Sequence, residues 1–236
     1  MEGITSLADL LDLHEIDLAI DRLLDERSNL PELDDYKAAH EEVARLEAAK
    51  AEADVSLKTA DLGLDKTSGE LEIMAEKAAT EQNRLYAGGI SARDAEYLRR
   101  EVEMLYAKVS KMEDEVLHFI EEKESAEHQV AALGGELEAA TAEQERLRGV
   151  ITEKWRLIDM NLESKEARKA EAAPLVEEYL MEIYDDLRQG RQGRVVGDLV
   201  DGVCGSCHLK LSAAEVARAA KDDPPRCVHC QSILVT

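Results

Sequence analysis

Four cysteines carry the strongest chemical signal in this 236-residue chain, and all of them fall between positions 204 and 230. They form two C-x2-C pairs, Cys204-Gly-Ser-Cys207 and Cys227-Val-His-Cys230, with nineteen residues between the pairs. Two residues between thiols let a tight turn present both sulfurs to one ion, and two such turns complete a tetrahedron. The spacing predicts one Zn2+ held by Cys204, Cys207, Cys227 and Cys230. Iron is the main competitor, because tetrahedral thiolate ligation suits it too. Four protein thiolates leave no open coordination position, so the metal is expected to be structural and not catalytic.

Other chemistries fit these residues less well. Cys204-Gly-Ser-Cys207-His208 matches the C-x-x-C-H of c-type haem attachment. That would require export, and the acidic stretch Met1 to Asp12 lacks the basic region and apolar block of a secretory signal. It would also leave the second pair unexplained. A redox C-x-x-C is expected in a βαβ context, which the tail lacks. His208 and His229 could each replace a thiolate, but four cysteines already close the site, so both read as surface or supporting residues. Cysteines gathered in one short tail suit a metal in a reducing compartment better than a disulfide framework. With no run near the ~20 apolar residues of a membrane span, the chain reads as cytoplasmic.

The elements that must position this tail are long helices. A pattern of mostly apolar or small residues at alternating steps of three and four runs Tyr36, Ala39, Val43, Leu46, Lys50, Ala53, Leu57, Ala60, Leu64, Thr67, Leu71, Met74, Ala78, Glu81, Leu85. A second seam runs from Leu98 through Val102, Val109, Met112, Phe119, Ala126 and Leu147 to Ile158. Repeats held this long require supercoiling. Gly88-Gly89 can end one helix at positive φ, and Ser91 with Asp94 can cap the next. Ser6–Tyr86 and Ala92–Ala172 are arms of equal length. They predict an antiparallel hairpin of roughly 120 Å at ~1.5 Å per residue, with Pro31 opposite about residue 147.

The expected fold class is mainly α: a long antiparallel coiled-coil helical hairpin followed by a small C-terminal β zinc ribbon. The hairpin spans 1–173, with its tip near 86–91 and a kink near 31 and 149. Residues 174–194 form a short helix and linker, and 195–236 form the ribbon. Pro174 opens the short helix, with Val176, Leu180, Ile183 and Leu187 on one face and Tyr179 and Tyr184 beside it. Val195-Val196 and Leu199-Val200, split by Gly197-Asp198, read as separate short strands. Ser212-Ala-Ala-Glu215 is a capping box opening a helix to about Lys221, and Ile233-Leu234-Val235 is the last strand.

Composition agrees with narrow helical seams. Hydrophobic residues reach 44% while aromatics are only 3%, too few for a large globular core. The net charge is −23, from 29 Lys+Arg against 52 Asp+Glu. From Arg188 onward there are seven Lys+Arg and five Asp+Glu, a local +2, so the rest carries −25. The arms should repel nucleic acid. The candidate nucleic-acid contacts are Arg188, Arg191 and Arg194, with Arg218, Lys221 and Arg226 further on; they lack interleaved aromatics and read first as solvated charges. The carboxylates fall mostly on outward heptad positions, His14, His40, His118 and His128 share no spacing, and Trp155 reads as packing. No phosphate-binding loop, nucleophile elbow or dinucleotide fingerprint is present. No enzyme is visible.

Three stretches resemble a bacterial family of four-cysteine zinc-ribbon proteins with an N-terminal coiled-coil hairpin. They are Leu85-Tyr86-Ala87-Gly88 with Ile90 and Arg93-Asp94; Lys111-Met112-Glu113-Asp114-Glu115-Val116-Leu117; and the two cysteine pairs with Ile233-Leu234-Val235. The chain departs from that pattern at Ser91-Ala92, where relatives often have Asn-Pro, and at Gln231-Ser232, where they often have Gly-Arg. The second departure is expected to make the second cysteine turn less standard and removes a cation. The resemblance implies a non-enzymatic protein with one structural Zn2+. Its relatives are linked to an alternative sigma factor, to flagellar or type III secretion components and to messenger RNA. The expected role is therefore an adaptor or regulator with protein partners. The alternative is an RNA- or DNA-binding regulator acting through the ribbon. Neither a membrane nor a small-molecule substrate is expected.

Overall fold

The computed structural model describes residues 2–190 and 193–235, with side chains from Leu7 onward. Helices α1 (Glu2–Ser28), α2 (Pro31–Tyr86) and α3 (Ala92–Ala172) are followed by a 3-10 turn (Ala173–Leu175) and α4 (Glu178–Gly190). Strands β1 (Val196–Val200) and β2 (Val203–Cys204), helix α5 (Ala213–Ala219) and strand β3 (Ile233–Val235) complete the order. The fold is a long helical hairpin with a small C-terminal sheet. Among the described residues no helix is long and apolar enough to cross a membrane. The chain divides into two compact units, residues 35–147 and residues 1–34 with 148–236.

In the unit formed by 35–147, α2 and α3 pack through the two heptad seams. Val43, Leu46, Ala53, Ala60, Thr67 and Ala78 are buried on α2, and Val102, Val109, Met112, Ala126 and Leu147 on α3. Small residues at every seventh position let the helices approach closely. Gly63 goes further: a Cβ there would lie 2.5 Å from the Phe119 ring. Lys123 sits in the seam, and its ammonium reaches the Asp61 carboxylate. Gly88 and Gly89 turn the chain at φ +77° and +83°. Ser91 Oγ then accepts from the Asp94 N–H at 3.2 Å, capping α3 as its sequence suggests.

The register differs from a symmetrical fold-back. Tyr106 donates to Gln82 (2.6 Å), and Gln144 meets His40 (2.9 Å). A symmetrical fold with Tyr86 opposite Ala92 would place residues 96 and 138 there instead. The polar pairs select one alignment among heptad slips that the apolar seams alone would tolerate.

In the other unit the break between α1 and α2 lies at Asn29-Leu30, with Pro31 at the first position of α2, where its missing N–H costs nothing. Glu32 pairs with Lys154 at 2.6 Å, so Pro31 lies further along α3 than the expected position near 147. Helix α3 continues unbroken through Gly149. The Trp155 indole donates to the Arg27 carbonyl at 3.0 Å, satisfying an orphan acceptor in the last turn of α1. Pro174 lies in the 3-10 turn and α4 begins only at Glu178. Tyr184, expected beside the apolar face, is fully buried, while Tyr179 is exposed.

The core of this unit gathers Leu10 and Leu13 of α1, Val176, Leu180 and Tyr184 around α4, Val195 just before β1, and Val196 and Ile233 of the sheet. At its centre lies a polar chain. The Val195 N–H donates to His14 Nε2 (3.2 Å), so the imidazole proton sits on Nδ1 and points to Tyr184 Oη (3.2 Å). Tyr184 in turn donates to Asp17 Oδ2 (2.6 Å), and Lys169 pairs with Asp17 Oδ1 (2.7 Å). Burial and the cations Arg188 and Arg194 lower the His14 pKa to about 4. Burial and the Asp17 hydrogen bond push the Tyr184 hydroxyl well above its ordinary value.

Two outcomes follow for stability. The unfolded imidazole binds its proton near pH 6.5, and the folded one only near 4. Stability is therefore lost as pH falls from about 6.5 towards 4, by about 3 kcal/mol at the limit. Urea unfolding of the wild type against His14→Gln across that range should show the extra slope only in the wild type. Gly63→Ala would ordinarily favour a helix by about 1 kcal/mol. Here it is expected to destabilise by about 1–3 kcal/mol through overpacking on Phe119, read in the same unfolding experiment.

Candidate metal centre

The sheet has the order β2-β1-β3, with β2 antiparallel and β3 parallel to β1. Asp201 and Gly202, at φ +53° and +75°, make the tight turn from β1 to β2. This is the Asp-Gly hairpin signal, and it places Cys204 at the end of β2. The expected split between two strands at Gly197-Asp198 does not occur, for β1 runs through both residues. Gly197 is instead a site of close approach. A Cβ there would meet Ser206 N at 2.6 Å, and one on Gly205 would strike the Asp198 carboxylate at 1.9 Å. The Gly205 N–H donates to the Asp198 carbonyl (2.8 Å), clamping the first cysteine turn onto the strand.

The two turns are built alike. His208 N–H donates to the Cys204 carbonyl and Gln231 N–H to the Cys227 carbonyl, both at 2.8 Å. Cys204 N–H donates to the Leu209 carbonyl (3.0 Å) and Cys227 N–H to the Ser232 carbonyl (2.9 Å). Each turn therefore closes on its own backbone and aims two sulfurs the same way. All four Sγ atoms lie within 4.8 Å of one another. Cys204 and Cys230 approach to 3.9 Å, as do Cys207 and Cys227. These four cysteines can hold a metal ion.

The surroundings tune the sulfurs unequally. Burial pushes the Cys204 thiol up to about 12. Burial acts the same way on Cys230, but the Ser232 hydroxyl and N–H with the Cys227 and Cys207 thiols outweigh it and bring Cys230 down to about 6. Leu211, Ala219 and Leu234 pack around the buried Cys204 and Cys227. The capping box opening α5 forms as read, with Ser212 Oγ accepting from the Glu215 N–H. Its helix stops at Ala219 rather than Lys221.

The histidines stand apart from the sulfur cluster. His208 is exposed, and His229 faces Glu215 at 3.5 Å. The basic cluster is largely engaged. Arg188 pairs with Asp21 (2.9 Å) and Arg194 with Glu15 (2.6 Å), both from α1. Arg191 lies outside the described residues. Ser232, which stands where a cation is common among resembling proteins, is buried; with Ser206 it donates to the Arg194 carbonyl, at 3.2 and 2.8 Å. Reasoning from the sequence missed this serine pair, the His14 chain and the Asp201-Gly202 turn. Only the last has a local signal that could have found it.

His208 and Gln231 both sit at φ +60°, a conformation that costs an L-residue about 1–2 kcal/mol. Gln231→Gly should therefore raise the stability of the metal-loaded protein by about 0.5–1 kcal/mol, after the greater unfolded-state freedom of glycine is allowed for. Gln231→Ala should give no gain. Thermal unfolding of the loaded protein checks both.

Comparison with known proteins gives a consistent fold. An uncharacterized protein of Mycobacterium tuberculosis, present in strains CDC 1551 and H37Rv, is 23% identical over 240 residues, covering 99% of this chain and 96% of its own length. A solved structure from Mycobacterium smegmatis matches with a TM-score of 0.81 at 19% identity, covering 98% of this chain and 97% of its own. CT398 from Chlamydia trachomatis matches with a TM-score of 0.72 at 17% identity, covering 97% and 96%. The HP0958 protein from Helicobacter pylori gives 0.51 at 17% identity, covering 98% and 96%. At these identities the structures speak for the fold alone. Residues 13–192 match the CT398-like coiled coil hairpin domain, and with that match spanning more than half of its length the chain belongs to the CT398-like coiled-coil hairpin family.

Proposed function

We propose that this protein is a non-enzymatic adaptor that binds other proteins, with its C-terminal sheet built as a zinc ribbon around one structural Zn2+. The mutual approach of four thiols on two self-closed turns carries the reading. Zn–S bonds of about 2.3 Å place sulfurs about 3.8 Å apart in a regular tetrahedron, and the two closest pairs here lie at 3.9 Å. Cys204, Cys207, Cys227 and Cys230 would hold the ion. Bound there, it would crosslink the two turns and add the stability that a small sheet lacks. Four protein ligands leave no position for a substrate or an activated water. The arms offer no alternative chemistry, since carboxylates such as Glu42, Glu143 and Glu153 pair with arginines three residues on.

Proteins are favoured over nucleic acid as partners. Arg188 and Arg194 already serve carboxylates of α1, so neither is a free phosphate contact. The thiolate chemistry suits a reducing, cytoplasmic setting.

Three experiments test this proposal. Native mass spectrometry should find one zinc per chain, lost in Cys204→Ser. Stripping it with a chelator should abolish amide protection at Ile233 and Leu234 while leaving most of the helical circular dichroism. Crosslinking pull-down of the full chain should recover a defined protein whose capture survives nuclease. Capture that nuclease abolishes would instead favour the RNA- or DNA-binding reading.

A further inference from the structure

The hairpin tip reverses the character of the arms. From Leu85 to Arg100 it carries three arginines (93, 99 and 100) against Asp94 and Glu96, a local net +1 in a chain of −23, while Arg84 just before it pairs with Glu81 at 2.7 Å. Arg99 and Arg100 share the single carboxylate of Glu96, at 3.7 and 3.0 Å, so positive charge is left over. The same segment exposes apolar surface. Tyr86 is 78% exposed, Tyr97 75% and Ile90 42%. Such side chains are concentrated at interfaces, and Tyr and Arg supply much of their binding energy.

The register explains this exposure. The inter-arm pairs Asp61–Lys123 and Gln82–Tyr106 bring the end of α2 level with about residues 98–102. The first turns of α3 therefore run on past α2 by roughly 10–15 Å at ~1.5 Å per residue. Tyr97 and Arg93 lie on that projecting end. Gly88 and Gly89, both in the left-handed region, carry the chain through the turn to Ile90.

We propose, building on the adaptor reading, that this tip docks a short acidic segment of a partner protein that also carries apolar side chains. Tyr86, Ile90 and Tyr97 are its anchors, and Arg93, Arg99 and Arg100 meet its carboxylates. The size of the patch selects this occupant. Glu81, Glu101 and Glu103 border the segment on both sides in sequence. A nucleic-acid strand carries charge along its whole length and would be repelled there, whereas a locally acidic segment gains the attraction without that penalty.

Fluorescence anisotropy with the full-length protein tests the site. The probes are a labelled peptide of alternating Glu and Leu, its Lys-for-Glu counterpart and single-stranded poly(U). The Glu/Leu peptide should bind. Tyr86→Ala with Tyr97→Ala, and separately Arg93→Glu with Arg99→Glu and Arg100→Glu, should each weaken it by about tenfold or more. These positions are exposed, so helical circular dichroism should be unchanged. Absence of binding, binding indifferent to the tip variants, or tip-dependent binding of poly(U) would overturn the proposal. Photo-crosslinkers at Tyr97 and at Arg218 in cells separate it from the broader reading. Protein adducts at Tyr97 mapping to an acidic segment support the tip. Adducts only at Arg218 overturn the tip and keep the adaptor, and adducts at neither overturn both.

Discussion

The residue that leads into the core strand β1 finds its hydrogen-bond acceptor not on another strand but on a histidine 181 positions earlier. The Val195 N–H is spent on His14 Nε2. That bond obliges the imidazole to stay neutral and to carry its proton on Nδ1, which orients Tyr184, which orients toward Asp17. Unpaired buried polar groups cost about 1–3 kcal/mol each, so the chain is cooperative: removing one member strands its neighbours. Helix α1 thereby becomes a wall of the C-terminal module, and the sheet does not rest on its own strand pairing alone.

Two cores divide the work around β1. One side is apolar and sealed by Leu10, Leu13, Tyr184 and Ile233. The other is the sulfur side, where Cys204, Cys227, Leu211 and Leu234 pack. Gly197 and Gly205 let the first cysteine turn lie against the strand that joins them. Ser206 and Ser232 converge on the Arg194 carbonyl from the sulfur side, one residue before the Val195 amide meets His14. Adjacent backbone groups are thus held from opposite sides. A loss of order around the sulfurs would reach the His14 chain through a single peptide unit.

The parts legible in the sequence were those governed by local period or spacing. The heptad seams are the buried faces down to their weak members: Ala53, Ala60 and Thr67 are buried, and Lys123 and Lys154 sit in the seam because each has a carboxylate to meet. The cysteine spacing led directly to the sulfur cluster. The inter-arm register was illegible, because a heptad repeat looks the same after a slip of seven and only pairs such as Gln82–Tyr106 break the tie. His14 was unreadable for a different reason. Nothing nearby distinguishes a core histidine from a solvated one when its partners are 170 and 181 residues away. Gly197 was read as a strand break because the turn that presses on it lies outside any local window.

The charge distribution follows the same division between local and distant. The acid excess of −23 looks like uniform solvated surface when read along the chain, yet α1 uses its share structurally. Asp17, Asp21 and Glu15 take up Lys169, Arg188 and Arg194, cations of α3, α4 and the approach to β1. An arginine cluster that looks like a phosphate site in isolation is therefore part of the attachment of α1. Long-range steering by a cation requires that it be uncompensated. That condition fails for Arg188 and Arg194, and it holds at the tip, where Glu96 must serve two guanidiniums. Of the two basic segments, the one furthest from the sulfur cluster in sequence is the one where two guanidiniums share a single carboxylate.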